Sequence, residues 1–207
     1  MLILVSHGES SANAQGLLVG RTDAPLTEKG RAQAVGVRQL LPTPVYSLRS
    51  SPLGRARDTA AALDLGLPAE VDDRWIEVDY GEFECQPLRD VPADVWREWR
   101  SSPDFRPVGG ETLAEVDTRV TAACDELFAV DGAGARSTTG DVVVVSHVTP
   151  IKAAVAWALG TGGELSWRLH LQTASVTRIG WGNGVPVLHG FNEVAPDRHD
   201  TSQSRHV

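Results

Sequence analysis

The sequence predicts an α/β protein, a three-layer α/β/α sandwich around a mostly parallel mixed sheet with a short cap segment. Two short runs rich in Val, Ile and Leu, residues 2–5 and 141–145, are typical of strands buried on both faces. Segments with helical spacing of apolar residues lie between them, and a Gly-Asn-Gly turn at residues 182–184 predicts a hairpin. We expect one domain over residues 1–194, followed by a polar tail over residues 195–207.

Local signals place the remaining elements in order. The stretch of residues 11–26 is punctuated by Gly and Pro and predicts a long loop. Thr27 can cap the helix that follows, and Thr112 with Glu115 fits a capping box. The predicted strands are residues 2–5, 45–50, 70–72, 141–145, 174–181 and 185–191, and the predicted helices are residues 28–41, 53–63, 113–129 and 151–159, with one short helix in a cap at about 86–108.

Composition limits the classes of partner. The net charge of −8 argues against nucleic acid, because phosphate backbones need a basic face, but a small phosphorylated ligand needs only a local cluster of cations. Two cysteines, Cys85 and Cys124, are too few for a disulfide framework. No leader-like segment or run of membrane-spanning length is evident, so we expect a cytoplasmic protein with no membrane partner. The sequence leaves a homodimer open.

A Val-Ser-His triplet occurs twice, at residues 5–7 and 145–147, each time at the end of a predicted buried strand. Ligands of open α/β sheets bind at the carboxyl ends of strands. A histidine at one strand end is equally well explained as a hydrogen-bonded core residue. If the two strands are neighbours, however, His7 and His147 face each other at one edge of the sheet.

Arg55 lies in the first turn of a predicted helix, where the helix dipole disfavours a cation. It is either a solvated surface residue or part of the same site. Two imidazoles and a guanidinium would form a compact anion site, since arginine suits phosphate and histidine can act as a nucleophile. This combination indicates phosphoryl-transfer chemistry.

Residues 75–85 carry four carboxylates, three of them near Gly81, and a carboxylic acid here could protonate a leaving alkoxide. Spacing does not choose among these carboxylates, and a solvated acidic loop is the alternative. Metal binding is a weaker interpretation, because the paired histidines lack i, i+4 spacing and the cysteines lack CxxC spacing.

The chain resembles the histidine phosphatase superfamily, also called phosphoglycerate mutase-like, over residues 2–192. The first block, LILVSHGES, is similar to a signature in which a strand ends in Arg-His-Gly-Glu-Ser or Thr. SSPLGRARDTA, WIEVDYGEFEC, GGET and VVVVSHVTPIK resemble the later motifs in the same order. By position, the resemblance implies four catalytic residues: His7, Arg55, Glu77 and His147. It also implies contacts to the substrate or its phosphate from Ser6, Asn13, Arg21, Thr22 and Val148.

For such a family the expected reaction proceeds through a phosphohistidine on His7, with Glu77 first donating a proton to the leaving oxygen and then activating water. Arg55, His147 and Asn13 would hold the phosphoryl oxygens. The resemblance implies no metal and no other cofactor. The substrate is expected to be a small phosphorylated metabolite.

The chain departs from the family pattern at Ser6, where the family carries an arginine that contacts phosphate. Arg21 could replace that charge, the enzyme could be slow, or the chain could bind phospho-ligands without turning them over. Cys85 also stands where relatives carry glycine, and Val148-Thr149 replaces Gly-Gly in the manner of general phosphatases. Because the segment that could close over the site is short, hydrolysis is favoured over phosphoglycerate mutase activity.

Overall fold

The computed structural model describes residues 1–129 and 140–196, so most of the predicted polar tail, from residue 197 onward, lies outside the described residues. Six strands form one sheet in the order β3-β2-β4-β1-β5-β6. The strands are β1 (Leu2–Ser6), β2 (Ser47–Ser50), β3 (Ala69–Val71), β4 (Val142–Ser146), β5 (Ser175–Gly182) and β6 (Val185–Val194). The first four are mutually parallel, β5 is antiparallel to its neighbour β1, and β6 is antiparallel to β5, which confirms the mostly parallel mixed sheet.

Helices cover both faces of this sheet. They are α1 (Ser11–Ala14), α2 (Glu28–Val37), α3 (Gly54–Ala62), α4 (Ala93–Ser101), α5 (Leu113–Phe128) and α6 (Val148–Leu159). Alternate residues of the central strands enter different cores: Leu4 and Val144 pack under α5 and α6, whereas Val5 and Val145 pack under α2 and α3. These strands are continuously apolar because both of their faces are buried. The sheet and the helices on its two faces form the predicted three layers.

Strands β1 and β4 are direct neighbours, and their register pairs Ser6 with Ser146. The chain leaves both strands at the same level, and the backbone N–H of His7 donates to the carbonyl of Ser146 at 3.0 Å. Helix α6 begins three residues earlier than predicted, with His147 as its N-cap residue. Pro150 therefore lies inside the first turn, where its missing N–H is not needed.

The predicted loop after β1 contains a short helix, α1. Its start is a capping box in which the Ser10 hydroxyl accepts the Asn13 N–H and the Asn13 side chain accepts the Ser10 N–H. A four-residue helix is too short to show apolar periodicity, so sequence reasoning missed it.

The remaining segments are the C-terminal hairpin, a 3-10 helix and the cap. Asn183 and Gly184 both have positive φ, which is the conformation that a two-residue hairpin turn requires, and this confirms the predicted hairpin. After α6, a 3-10 helix covers Gly163–Arg168. In the cap segment, α4 is held by buried Trp99 against Phe83.

Among the described residues, no helix combines the length and apolar character needed to cross a bilayer.

Candidate active site

The two histidine rings lie together at the carboxyl edge of the sheet, with centroids 5.0 Å apart. His7 is only 5% exposed, and its Nδ1 lies 2.7 Å from the carbonyl oxygen of Gly8. Because a carbonyl can only accept, Nδ1 carries the proton and the lone pair is on Nε2. Burial, and next the charge of Arg55, lower the pKa of His7 to about 3. His7 is therefore a neutral imidazole at neutral pH.

His147 is fully buried, and its Nε2 lies 2.7 Å from the Ser51 hydroxyl. Its Nδ1 has no hydrogen-bond partner within the described part of the chain. Burial, together with the nearby His7 and Arg55, holds its pKa well below the usual value. The Ser51 hydroxyl oxygen accepts the Leu53 N–H, so its own proton can be donated to Nε2. In that tautomer Nδ1 carries the ring proton and can donate it to an oxygen of a bound anion.

Arg55 enters the site from the first turn of α3 and is only 2% exposed, so the interpretation as a surface arginine is wrong. Its guanidinium donates to the backbone carbonyls of Gly20 at 2.6 Å and Thr22 at 2.9 Å. Burial lowers its pKa, and the carboxylates of Glu77 and Asp23 act in the opposite direction. Since an arginine remains protonated in proteins, the site contains a buried positive charge.

Glu77 lies beside this group and is 4% exposed. Its Oε1 accepts the backbone N–H groups of Val78 at 2.9 Å and Thr149 at 3.3 Å. Burial raises the pKa of Glu77, although these N–H bonds and the charge of Arg55 partly offset the shift. A carboxyl group with a raised pKa is suited to hold a proton and to donate it.

The other three acidic residues of the segment have different surroundings. Asp79 lies 3.6 Å from the Arg21 guanidinium, Glu82 is exposed, and Glu84 accepts backbone N–H groups. Burial and the Thr149 contact therefore distinguish Glu77, which spacing alone could not.

The residues expected to contact the phosphate differ in their burial and in their hydrogen-bond partners. Ser6 is 1% exposed, and its hydroxyl has no partner among the described residues. Arg21 is 41% exposed, and its guanidinium lies 3.2 Å from Glu111 and 3.6 Å from Asp79. The Asn13 side-chain oxygen accepts from Ser10.

The last two expected contacts act through the backbone or the core. Thr22 contributes its carbonyl to Arg55, and Val148 is the first residue of α6 and packs against the core beneath α5 and α6. Sequence reasoning missed Ser51 and Thr149, which contact His147 and Glu77. The available signal was their position near strand ends, since Ser51 directly follows β2 and Thr149 lies in the first turn of α6 after β4.

Comparison with known proteins agrees with this arrangement. The family model described as "Histidine phosphatase superfamily (branch 1)" matches residues 2–194. The chain is 34% identical over 183 residues to the bifunctional protein Rv2228c of Mycobacterium tuberculosis, covering 85% of this chain and 49% of that protein. It therefore spans about half the length of that relative. It is 31% identical over 185 residues to the putative phosphoserine phosphatase 2 of Hydrogenobacter thermophilus, covering 86% and 88% of the two chains.

The fold of the chain is also similar to that of solved structures. Mycobacterial glucosyl-3-phosphoglycerate phosphatase in complex with VO3 superposes with a TM-score of 0.81 at 29% identity, covering 93% of this chain and 98% of that one. With the family model spanning nearly the whole chain and the sheet edge carrying the paired histidines, the protein belongs to branch 1 of the histidine phosphatase superfamily.

Proposed function

We propose that the chain is a metal-independent phosphatase that hydrolyses small phosphomonoesters through a phosphohistidine on His7. One observation carries this proposal: a neutral imidazole, oriented by the Gly8 carbonyl, lies 5.0 Å from a second imidazole and within the field of a buried guanidinium. Such a group is a preorganised nucleophile in an anion site.

In the first step, Nε2 of His7 attacks phosphorus, the bond to the leaving oxygen breaks, and Glu77 gives its proton to that oxygen. The Arg55 guanidinium and the Nδ1–H of His147, in the tautomer whose Nε2 accepts from Ser51, donate to the phosphoryl oxygens. In the second step, ionised Glu77 takes a proton from water, the resulting hydroxide attacks phosphorus, and the P–N bond breaks. Inorganic phosphate leaves, and both His7 and Glu77 return to their starting protonation states.

The leaving group is proposed to carry a carboxylate. Lys152 is half-buried on α6, one turn after Thr149, and its ammonium makes no hydrogen bond or ion pair with any described residue. Burial lowers its pKa, and the charge of Glu77 opposes this effect. Helical side chains lean toward the N-terminal end of their helix, which here is the end that carries His147. The unpaired ammonium is thus available on the side of Glu77, where the leaving group would lie. Relatives named for phosphoserine and for 3-phosphoglycerate derivatives are consistent with such a substrate.

Two alternatives have specific support. One is phosphoglycerate mutase activity, because the chain is 32% identical over 184 residues to the probable phosphoglycerate mutase GpmB of Cronobacter sakazakii. The other is a phospho-ligand-binding protein with an impaired site, because Ser6 leaves a buried hydroxyl unpaired where the family has an arginine.

Release of phosphate from p-nitrophenyl phosphate in the presence of EDTA tests the proposal, with a His7→Ala variant as the control. Wild-type turnover that is lost in the variant supports it, and binding of orthovanadate without any turnover would instead identify a binding protein. With 3-phosphoglycerate, formation of 2-phosphoglycerate without phosphate release would identify a mutase.

A further inference from the structure

The carboxylate of Glu84 is half-buried beside the site and accepts hydrogen bonds from four backbone N–H groups. Its Oε1 accepts from Gly20 at 2.9 Å, Arg21 at 3.1 Å and Tyr80 at 3.3 Å, and its Oε2 accepts from Thr22 at 3.3 Å. One side chain therefore satisfies three consecutive peptide groups of the loop that follows α1. A neutral amide could not do this, because one of its two terminal atoms is a donor.

The same loop holds the guanidinium of Arg55. The carbonyls of Gly20 and Thr22 accept from its two terminal nitrogens, while the N–H groups of these residues point to Glu84. Fixing the N–H groups restricts the loop conformation, and with it the direction of the carbonyls. Gly20 has to be glycine for this approach, since a Cβ there would lie 2.0 Å from the Val78 carbonyl oxygen and 2.4 Å from Glu84 Oε1.

The arrangement solves an electrostatic problem. A carboxylate in direct contact with Arg55 would orient it, but would also neutralise the charge that phosphate needs. No ion pair to Arg55 is present among the described residues, and its observed partners are carbonyls. Glu84 accepts backbone N–H groups and makes no direct contact with the guanidinium, although its charge, after those of Glu77 and Asp23, also raises the pKa of Arg55. Arg55 is thus oriented by backbone carbonyls and not by a direct ion pair.

We propose that Glu84 is a positioning residue for phosphate binding, acting through the loop of residues 20–22 on Arg55. This inference rests on the proposed function, since it concerns the same anion site. It predicts that loss of Glu84 weakens recognition of phosphate itself, whatever the leaving group is.

The test compares Glu84→Ala and Glu84→Gln with the matched control Glu82→Gln, which alters an exposed glutamate two residues earlier. Each variant is assayed for kcat/KM on p-nitrophenyl phosphate, for the inhibition constant and calorimetric Kd of orthovanadate, and for its melting temperature. We expect Glu84→Ala to lower kcat/KM and weaken vanadate binding by about 10- to 100-fold, the range of one charge-assisted hydrogen bond. Glu84→Gln should have a smaller effect in the same direction, and Glu82→Gln should stay within about twofold of the wild type.

A double-mutant cycle separates positioning from general support of the fold. If Glu84 acts through Arg55, adding Glu84→Ala to Arg55→Ala should cost less than about threefold more in vanadate affinity, while the losses in melting temperature still accumulate. Additive losses of affinity, or a Glu84→Ala enzyme within about threefold of the wild type, would overturn the inference. If Glu84→Ala does not fold, the same cycle with Glu84→Gln decides. A wild type that neither turns over nor binds vanadate would instead defeat the proposed function.

Discussion

Replacing Ser6 by arginine tests how this site handles phosphate with one guanidinium fewer than the family pattern. Ser6 ends β1, its side chain is 1% exposed, and its hydroxyl has no partner in the described part of the chain. Arg21 is engaged by Glu111 and Asp79. An arginine at residue 6 should therefore add a charge-assisted hydrogen bond to the phosphoryl group that no present residue makes.

Such a bond contributes about 1.5–3 kcal/mol, which corresponds to roughly a 10- to 100-fold rise in kcat/KM on a phosphomonoester. The larger side chain also crowds a buried position, at a cost of about 1–3 kcal/mol in folding stability. The two effects separate in measurement, because crowding lowers the melting temperature whereas the new contact raises kcat/KM and vanadate affinity.

The assay uses p-nitrophenyl phosphate with EDTA, and Ser6→Gln is the matched control of similar length without charge. We expect Ser6→Arg to exceed both the wild type and Ser6→Gln in kcat/KM. If Ser6→Arg is folded and its kcat/KM is unchanged or lower, another group already fills the place of the arginine and the reasoning fails.

Three further predictions follow from the same geometry. Glu77→Gln should lower kcat/KM about 100-fold or more on an alkyl phosphate but far less on p-nitrophenyl phosphate, whose leaving group needs little protonation; equal losses would remove Glu77 as the acid. The pKa of His7 is near 3 in the folded state and about 6.5 when unfolded, so the unfolded chain binds the extra proton between these values. Stability should therefore fall as the pH drops from about 6.5 toward 3, by several kcal/mol in urea titrations, and less steeply in His7→Asn. Lys152→Met should cost about 10-fold in kcat/KM on 3-phosphoglycerate and less than about threefold on glycerol 3-phosphate, which lacks the carboxylate; equal effects on the two would exclude a contact between Lys152 and the carboxylate.

Much of the architecture could be predicted because short sequence patterns determine its strands, helix caps and turns. The apolar runs that become β1 and β4, the capping box at Thr112, and the Asn183-Gly184 turn each carry their own signal. Elements without periodicity were missed or misplaced, as α1 and the start of α6 illustrate. A four-residue helix and a helix that opens through a proline at its third position depend on hydrogen bonds rather than on spacing.

The candidate site, too, could be predicted from the sequence only in part. The repeated Val-Ser-His triplet and the oddly placed Arg55 are visible along the chain, and they already indicate an anion site. The choice of Glu77 among four nearby carboxylates, the engagement of Arg21 by Glu111, and the support that Glu84 gives to the loop arise from contacts between segments that are distant in sequence. Burial and hydrogen-bond partners set the pKa and orientation of a side chain, and those are properties of the packed structure. The sequence therefore determines which chemical groups are available to the site. The protonation state and orientation of each group are decided only when the sheet and its loops have assembled.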